Sequence, residues 1–503
     1  MPHFIPLSKL NRLLLSQLRA LAGQTAIYGL SSIVGRLLNY LLVPLYTRIF
    51  SPADYGVVSE FYSYTTFLMV FYTLGLETAF FHFSNKKLKQ ENVYGNAQIS
   101  LSATTGFFTA ILLLFASPIA SALGYADHPE YIRWFALILA FDTLSTLPFA
   151  RLRQQNKAMR FALIKLSGIF INIGLNLFFL LVLPQQVTDS SGITNGVGYV
   201  FLSNLVASGI TLLFLFPELR DMRGTINKDI IKEMFVYGFP LLIAGFAGMI
   251  NETLDRAILK YLVTDPSSAM QQLGIYSACY KLSILMTLFV QTFRYAADPF
   301  YFSQQHKENA RQLFAAIMNY FVLAGCIIFL GVMCYMDIVK YFIGENFHSG
   351  LHVVPILLAA NLFLGIYLNL SIWYKLSGQT YYGAGLSIAG AIITIAFNIW
   401  LIPIMGYTGA AWATLICYST MMILSFYKGQ QVYAIPYETG RILFMMISTA
   451  AIWLLYEYGR KMLPLTSVTW GIISAIIILV YFGAMWKYLG GMKRLPLSLK
   501  ARK

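Results

Sequence analysis

Residues 312–335, QLFAAIMNYFVLAGCIIFLGVMCY, run for 24 positions without a charged side chain. As a helix rising about 1.5 Å per residue, such a run reaches across the roughly 30 Å hydrocarbon core of a bilayer. A helix is required there, because no water is present to meet a backbone N–H or C=O left open. The stretch therefore reads as a transmembrane helix.

Thirteen more apolar runs of similar length lie near 23–47, 56–81, 97–120, 131–151, 161–183, 195–216, 234–258, 273–298, 353–375, 383–404, 407–427, 441–458 and 467–487. No polar stretch between them is long enough to form a soluble domain. Composition says the same: 58% of residues are hydrophobic and 11% charged, against roughly a quarter charged in soluble domains. The expected fold is an all-α integral membrane protein of about 14 transmembrane helices, not a soluble enzyme.

A formal charge of +15 would suggest nucleic acid as the partner of a soluble protein. Here the Lys and Arg gather in short segments between the apolar runs. Assigned alternately to the two faces, these segments place twenty-five on one face and six on the other, with Arg36, Lys165, Arg256, Lys281 and Arg294 inside spans. By the positive-inside rule the richer face, which holds both termini, is cytoplasmic. The charge reports topology, and no nucleic-acid partner is expected.

Cys279, Cys326, Cys334 and Cys417 lie within apolar runs and show no CxxC or Cys/His spacing. They read as packing residues, with neither a disulfide nor a metal site expected. The first 22 residues carry Lys9, Arg12 and Arg19 among leucines, and no small-residue cleavage site follows a short hydrophobic core, which argues against a cleaved signal peptide. Leu10, Leu14, Leu18 and Leu21 recur at helical spacing, a pattern that suits an interfacial helix as well as a basic tail.

An internal repeat is visible. Tyr28-Gly29 opens the first span and Tyr237-Gly238 the seventh, each followed about twenty residues on by an arginine, Arg48 and Arg256. At a constant offset of 222, Gly168 and Asn176 of the fifth span fall on Gly390 and Asn398 of the eleventh. Transporters are often built from such repeats. The implied organisation is a cytoplasmic N-terminal segment (1–22), an N-lobe of six spans (23–216), a cytoplasmic linker (217–233), a C-lobe of six spans (234–427), and two C-terminal spans with a basic tail (428–503). Each six-span lobe keeps the same membrane orientation, so the pseudo-two-fold axis lies along the membrane normal.

The stretch Tyr46-Thr47-Arg48-Ile49-Phe50-Ser51-Pro52-Ala53-Asp54-Tyr55-Gly56, after a helix bearing Arg36, resembles the N-terminal signature of polysaccharide flippases. These are the O-antigen and capsule lipid-linked oligosaccharide translocases of the multidrug/oligosaccharidyl-lipid/polysaccharide (MOP) exporter superfamily. Leu74-Gly75-Leu76-Glu77-Thr78-Ala79 and the loop from Ile402 through Gly406 to Ala413 are similar to other parts of that family. The resemblance covers nearly the whole chain, through diffuse motifs. It implies two six-helix lobes around a cavity and the movement of an undecaprenyl-diphosphate-linked glycan to the outer leaflet of a bacterial cytoplasmic membrane. It also implies lipid and polysaccharide polymerase machinery as further partners. His82 stands where the family would lead one to look for a stronger base.

Charges at bilayer depth are costly, by roughly 2.5 to 3.5 kcal/mol on insertion scales, so they mark cavities or ion pairs. Arg36 shares a helix face with Ser32, Asn39 and Tyr40. Its guanidinium could grip a diphosphate through paired hydrogen bonds, or serve an ion pair inside the N-lobe. Thr287, Gln291, Arg294 and Asp298 share a stripe of the eighth span, where Arg294 is either a second phosphate ligand or the partner of Asp298. Lys281, which suits a structural or snorkelling role as well as contact with substrate, and Arg256 complete the set of substrate-binding candidates, and Glu252 and Asp255 are the local partners expected for Arg256. Glu60, Glu77 and Asp142 are embedded carboxylates, each a counter-ion or a site for coupling to Na⁺ or H⁺. Lys165 reads as snorkelling. Tyr62, Tyr64, Tyr72, Tyr276, Tyr280 and Tyr295 could stack on sugars, though belts and packing use the same rings.

No GxxxxGK[ST] phosphate loop, HExxH motif or well-placed GxSxG motif occurs, so neither a bound ATP nor a catalytic constellation is expected. No cofactor is expected beyond the coupling ion. A cation-coupled multidrug exporter of the same superfamily is the first alternative, but it usually has twelve helices and prefers acidic sites. A membrane glycan polymerase or ligase is the second, but it tends to carry a long outer loop.

Overall fold

The computed structural model describes residues 34–85, 92–183, 196–220 and 226–490, so Ser32 and the first half of the first span lie outside the described residues. The principal helices are α1 (Leu42–Ile49), α2 (Pro52–Thr73), α3 (Leu76–Asn85), α4 (Val93–Leu114), α5 (Pro129–Gln154), α6 (Ala158–Leu177), α7 (Val197–Phe214) and α8 (Lys228–Leu262). They continue with α9 (Pro266–Leu282), α10 (Ile284–Gln304), α11 (Ala310–Cys334), α12 (Val354–Leu370), α13 (Tyr381–Met405), α14 (Tyr407–Val432), α15 (Thr439–Met462) and α16 (Ser467–Tyr488). Among the described residues, twelve helices are long and apolar enough to cross a membrane, and α9 with α10 adds a thirteenth crossing bent by 53°. These thirteen match the second to fourteenth apolar runs.

Two crossings depart from the single straight helices expected. The second is interrupted at Leu74 and Gly75, both at positive φ (49° and 68°). The left-handed region is costly for a side chain such as leucine, and Gly75 makes the break affordable by taking the second such position without strain. The eighth crossing bends at Ser283, whose hydroxyl donates to the Tyr280 carbonyl at 2.7 Å and accepts from Asn361 Nδ2 at 3.3 Å. Side-chain hydrogen bonding of this kind replaces helical bonds lost at a bend inside a membrane.

The chain packs as two units. One comprises Met1–Leu42 and Tyr64–Phe246, the other Val43–Ser63 and Ala247–Lys503. Packing therefore does not follow chain order. Residues 43–63, within the N-lobe read from sequence, belong to the second unit, and residues 234–246, at the start of the C-lobe, belong to the first. Helices α2 and α8 each run through both units. The last two helices are part of the second unit, where Tyr456 OH donates to the Cys334 carbonyl at 2.9 Å and Tyr335 OH to the Gly471 carbonyl at 3.0 Å.

In the first unit the core gathers Leu76, Phe80, Phe83, Tyr94, Leu101, Leu147, Ile230 and Met234, so the start of α8 closes a cluster begun by α3, α4 and α5. In the second unit the signature segment is a capped hairpin. The Ser51 hydroxyl accepts from the Asp54 N–H at 3.2 Å and donates to the Asp54 carboxylate at 2.6 Å, while Pro52 starts the helix, where its missing N–H costs nothing. Arg48 reaches the Tyr341 carbonyl at 2.8 Å, and the Thr47 hydroxyl accepts from the Gly344 N–H at 3.0 Å. A Cβ at Gly274 would lie 1.8 Å from the Pro52 carbonyl oxygen, so the hairpin and α9 meet backbone to backbone. Close approach through small residues is how membrane helices associate without a hydrophobic driving force.

The repeat also has a structural counterpart. Asn176 and Asn398 are both fully buried, and each donates from Nδ2 to the carbonyl four residues earlier, Asn172 at 2.8 Å and Thr394 at 2.7 Å. Gly168 faces Thr211 on α7 as Gly390 faces Met421 on α14. The same positions of the fifth and eleventh spans thus seat the helix that follows.

Gly274→Ala is expected to destabilise the detergent-purified protein by about 2 kcal/mol, the scale of an overpacked contact. Gly248→Ala, at a site with no atom within 4 Å of the added methyl, should leave the thermal unfolding midpoint unchanged or slightly raised.

Candidate functional site

Each unit holds its own set of membrane-depth charges. In the first, the helical segment 34–40 packs on α6: a Cβ at Gly35 would meet Ile169 Cδ1 at 2.6 Å. This contact sets the next residue, Arg36, beside the face of α6 that carries Lys165, one turn before Ile169. Arg36 is exposed and Lys165 half-buried. Arg36, Arg153 and Glu77 all lie within electrostatic reach of the Lys165 ammonium, which sits 5.4 Å from the Phe161 ring centre. Arg153 forms a salt bridge to Glu77 and lies over Phe81 at 5.2 Å. The Lys165 ammonium thus lies within reach of two arginines and one carboxylate, beside the Arg153–Glu77 salt bridge.

Two of these residues lay outside the candidates read from sequence. Arg153 was counted with the cytoplasmic loop and Lys165 read as snorkelling, yet the fold brings Arg36 and Arg153 within electrostatic reach of Lys165. Glu77 is a counter-ion, but to Arg153 and not to Arg36. Asn39 is exposed and Tyr40 half-buried, while Ser32 lies outside the described residues. His82 stacks on Tyr237 with ring centres 4.3 Å apart. Asp142 on α5 lies against the Ser208 hydroxyl, and among the described residues no cation reaches it within salt-bridge distance.

In the second unit Glu60 is fully buried and pairs with Lys260 at 3.2 and 3.4 Å. Lys260 was assigned to an outer loop by sequence, 200 positions away. Asp255, also buried, accepts from Tyr276 OH at 2.5 Å and from Arg256 Nε at 3.4 Å. Arg256 further donates to the Glu252 backbone carbonyl and lies 4.4 Å from the Tyr280 ring centre. Its partner is thus the adjacent Asp255, and the expected Glu252 carboxylate stays exposed. Glu252 and Arg256 lie within electrostatic reach of half-buried Lys281.

On α10, Asp298 is held by Lys375 Nζ with both carboxylate oxygens at 2.9 Å, while Arg294 Nε stands 4.0 Å away. The expected Arg294–Asp298 pair is therefore loose, and the Arg294 side chain is 55% exposed. Gln291 is half-buried on the same stripe, and Thr287 contacts Asn361 at 3.4 Å. Sequence reading also missed Asn251. Its side chain donates to the Ser387 carbonyl at 3.0 Å and accepts from Thr394 at 3.2 Å, and its backbone carbonyl accepts from Tyr418 at 3.1 Å. Fully satisfied polar networks of this kind fix how neighbouring helices meet. A neutral residue four before Asp255 gave no charge signal by which to find it.

Among the described residues, twelve to thirteen membrane-crossing helices in two units, with charges inside the spans, define the class of the fold, a multi-pass helical membrane protein. Solved structures share that fold. The chain aligns with the lipid II flippase MurJ in an inward closed conformation at a TM-score of 0.68, with 12% identity over 92% of this chain and 99% of that one. It aligns with an inward-facing multidrug resistance MATE family transporter of the MOP superfamily at 0.61, with 14% identity over 84% and 95%. The Lsg locus putative protein 1 of Haemophilus influenzae is 21% identical over 333 residues, covering 64% of this chain and 77% of that protein. The family model described as polysaccharide biosynthesis protein matches residues 21–302, more than half the chain. The protein belongs to that family.

Lys260→Met removes the ammonium paired with the buried Glu60 carboxylate and is expected to cost about 3–5 kcal/mol of stability. The double variant Glu60→Gln/Lys260→Met should recover most of it, as measured by a double-mutant cycle on thermal or denaturant unfolding.

Proposed function

We propose that this protein is a flippase, not an enzyme. It carries an undecaprenyl-diphosphate-linked oligosaccharide from the inner to the outer leaflet of the bacterial cytoplasmic membrane by alternating access of its two lobes. The unit then feeds synthesis of a cell-surface polysaccharide such as O-antigen or capsule, where polymerase machinery takes it up. The observation that carries this reading is the gathering of Arg36, Arg153 and Glu77 within electrostatic reach of Lys165, in a chain of the polysaccharide biosynthesis family. A diphosphate diester brings two negative charges, which the Arg36 guanidinium and the Lys165 ammonium would meet. The Arg36 fork offers two parallel N–H donors to one phosphate, and the Lys165 ammonium adds a point charge beside it.

In the second unit Arg256 is committed to Asp255 and serves structure, whereas exposed Arg294 remains for the phosphate, because Lys375 takes both oxygens of Asp298. Lys281, with Glu252 nearby, is a weaker second ligand. For coupling to H⁺ or Na⁺, Glu60, Glu77, Asp255 and Asp298 are each neutralised by a cation, so the role falls to Asp142. A carboxylate without a cationic partner in a membrane has most to gain from a proton or a metal ion.

The sidedness of the lipid-linked oligosaccharide tests the reading, by periplasmic enzyme or lectin access in a depleted strain. The glycan should be trapped inside, and Arg36→Ala or Lys165→Ala made at wild-type level should slow its outward appearance about 10- to 100-fold, the worth of a charge-assisted contact. Outward display in the depleted strain would refute it. Asp142→Asn should leave binding intact and flatten the dependence of flipping on the proton or sodium gradient, measured in vesicles with imposed gradients.

A further inference from the structure

The ends of α11, α15 and α16 in the second unit enclose a pocket of about 330 Å³, lined in part by Asn319, Tyr320, Glu438, Arg441 and Leu489. It lies where α11 and α15 begin and α16 ends, on the face where Lys and Arg accumulate. Tyr320 packs on Trp486 with ring centres 5.5 Å apart, and Arg441 lies 5.6 Å from the Tyr488 ring centre. Tyr and Trp gather in this way at headgroup depth.

The polar groups of the pocket are unequally satisfied. Asn319 is only 5% exposed, and its Nδ2 donates to Glu438 Oε2 at 2.7 Å. A carboxylate only accepts, so this bond fixes the amide orientation and turns Oδ1 the other way. Oδ1 is buried without a hydrogen-bond partner. A carbonyl left in that state is costly and calls for a donor. Arg441 Nη1 donates to the same Glu438 oxygen at 2.6 Å, leaving further guanidinium N–H groups for an anion.

We infer that this pocket binds the headgroup of an aminophospholipid of the phosphatidylethanolamine type. Its primary ammonium supplies N–H donors to Asn319 Oδ1 and positive charge to Glu438, while its phosphodiester takes the remaining donors of Arg441. A choline headgroup has no N–H to give, and a glycerol headgroup brings no cation for Glu438, so both fit less well. The bound lipid would tie the last two helices to α11 at the membrane surface, a role separate from the cation cluster of the first unit.

The test is native mass spectrometry of the delipidated full-length protein, titrated with equal amounts of phosphatidylethanolamine, phosphatidylcholine and phosphatidylglycerol. The wild-type protein should favour the ethanolamine lipid about tenfold, the scale of one charge-assisted hydrogen bond. Asn319→Leu and Glu438→Gln should each erase the preference while total lipid binding persists, and Arg441→Gln should weaken all three lipids alike. Equal binding of the three lipids by the wild type would overturn the assignment, as would a preference that survives in both Asn319→Leu and Glu438→Gln.

Discussion

A charge carried into hydrocarbon has to be met by an opposite charge or by water, and this requirement governs how the helices of the chain are joined. Glu60 with Lys260, Asp255 with Arg256, and Asp298 with Lys375 are met within the second unit. Glu77 with Arg153 is met within the first. Three of these pairs, Glu60–Lys260, Asp298–Lys375 and Glu77–Arg153, tie together helices far apart in sequence. Pairing of this kind commits Lys260, Arg256, Lys375 and Arg153 to holding the helices together, which a list of embedded cations does not reveal.

The segment from Tyr46 to Gly56 shows how a family signature can be structural. Ser51 and Asp54 cap α2, Pro52 starts it, and Arg48 and Thr47 secure the preceding turn to residues 341–344. Gly56 stands against the Met270 carbonyl, much as Gly274 stands against Pro52. Each residue type follows from a geometric need of the hairpin. None is required to touch a substrate, and the proposed contact with a lipid-linked glycan falls instead to Arg36, one helix earlier.

Much of the fold was legible because lipid makes unusually simple demands. Runs of about 20 apolar residues mean crossings, and thirteen of the expected ones are found among the described residues. The offset of 222 was legible too, since Asn176 and Asn398 perform the same local bond. The breaks were harder: Leu74-Gly75 and Ser283 interrupt helices without lowering hydrophobicity. The site was half legible. Arg36 and Arg294 stood out as charges in apolar sequence, but the partners of Glu60, Glu77 and Asp298 lie 200, 76 and 77 residues away, and no local pattern specifies such a distance. Local reasoning offered Glu252 and Asp255 for Arg256, of which the fold uses Asp255, and Asp298 for Arg294, which the fold gives to Lys375.

The exchange of segments between the units also constrains the order of synthesis. The core of the first unit needs Ile230 and Met234, so it cannot close when its own last span leaves the ribosome. It must wait for the helix that opens the second half. The hairpin of residues 43–63, made early, finds its seat only when α9 and the turn at 341–344 have been translated. Each half of the chain thus reaches the membrane unfinished and is completed by the other, and a gene split in the linker near residue 222 would yield two polypeptides, neither able to fold to completion alone.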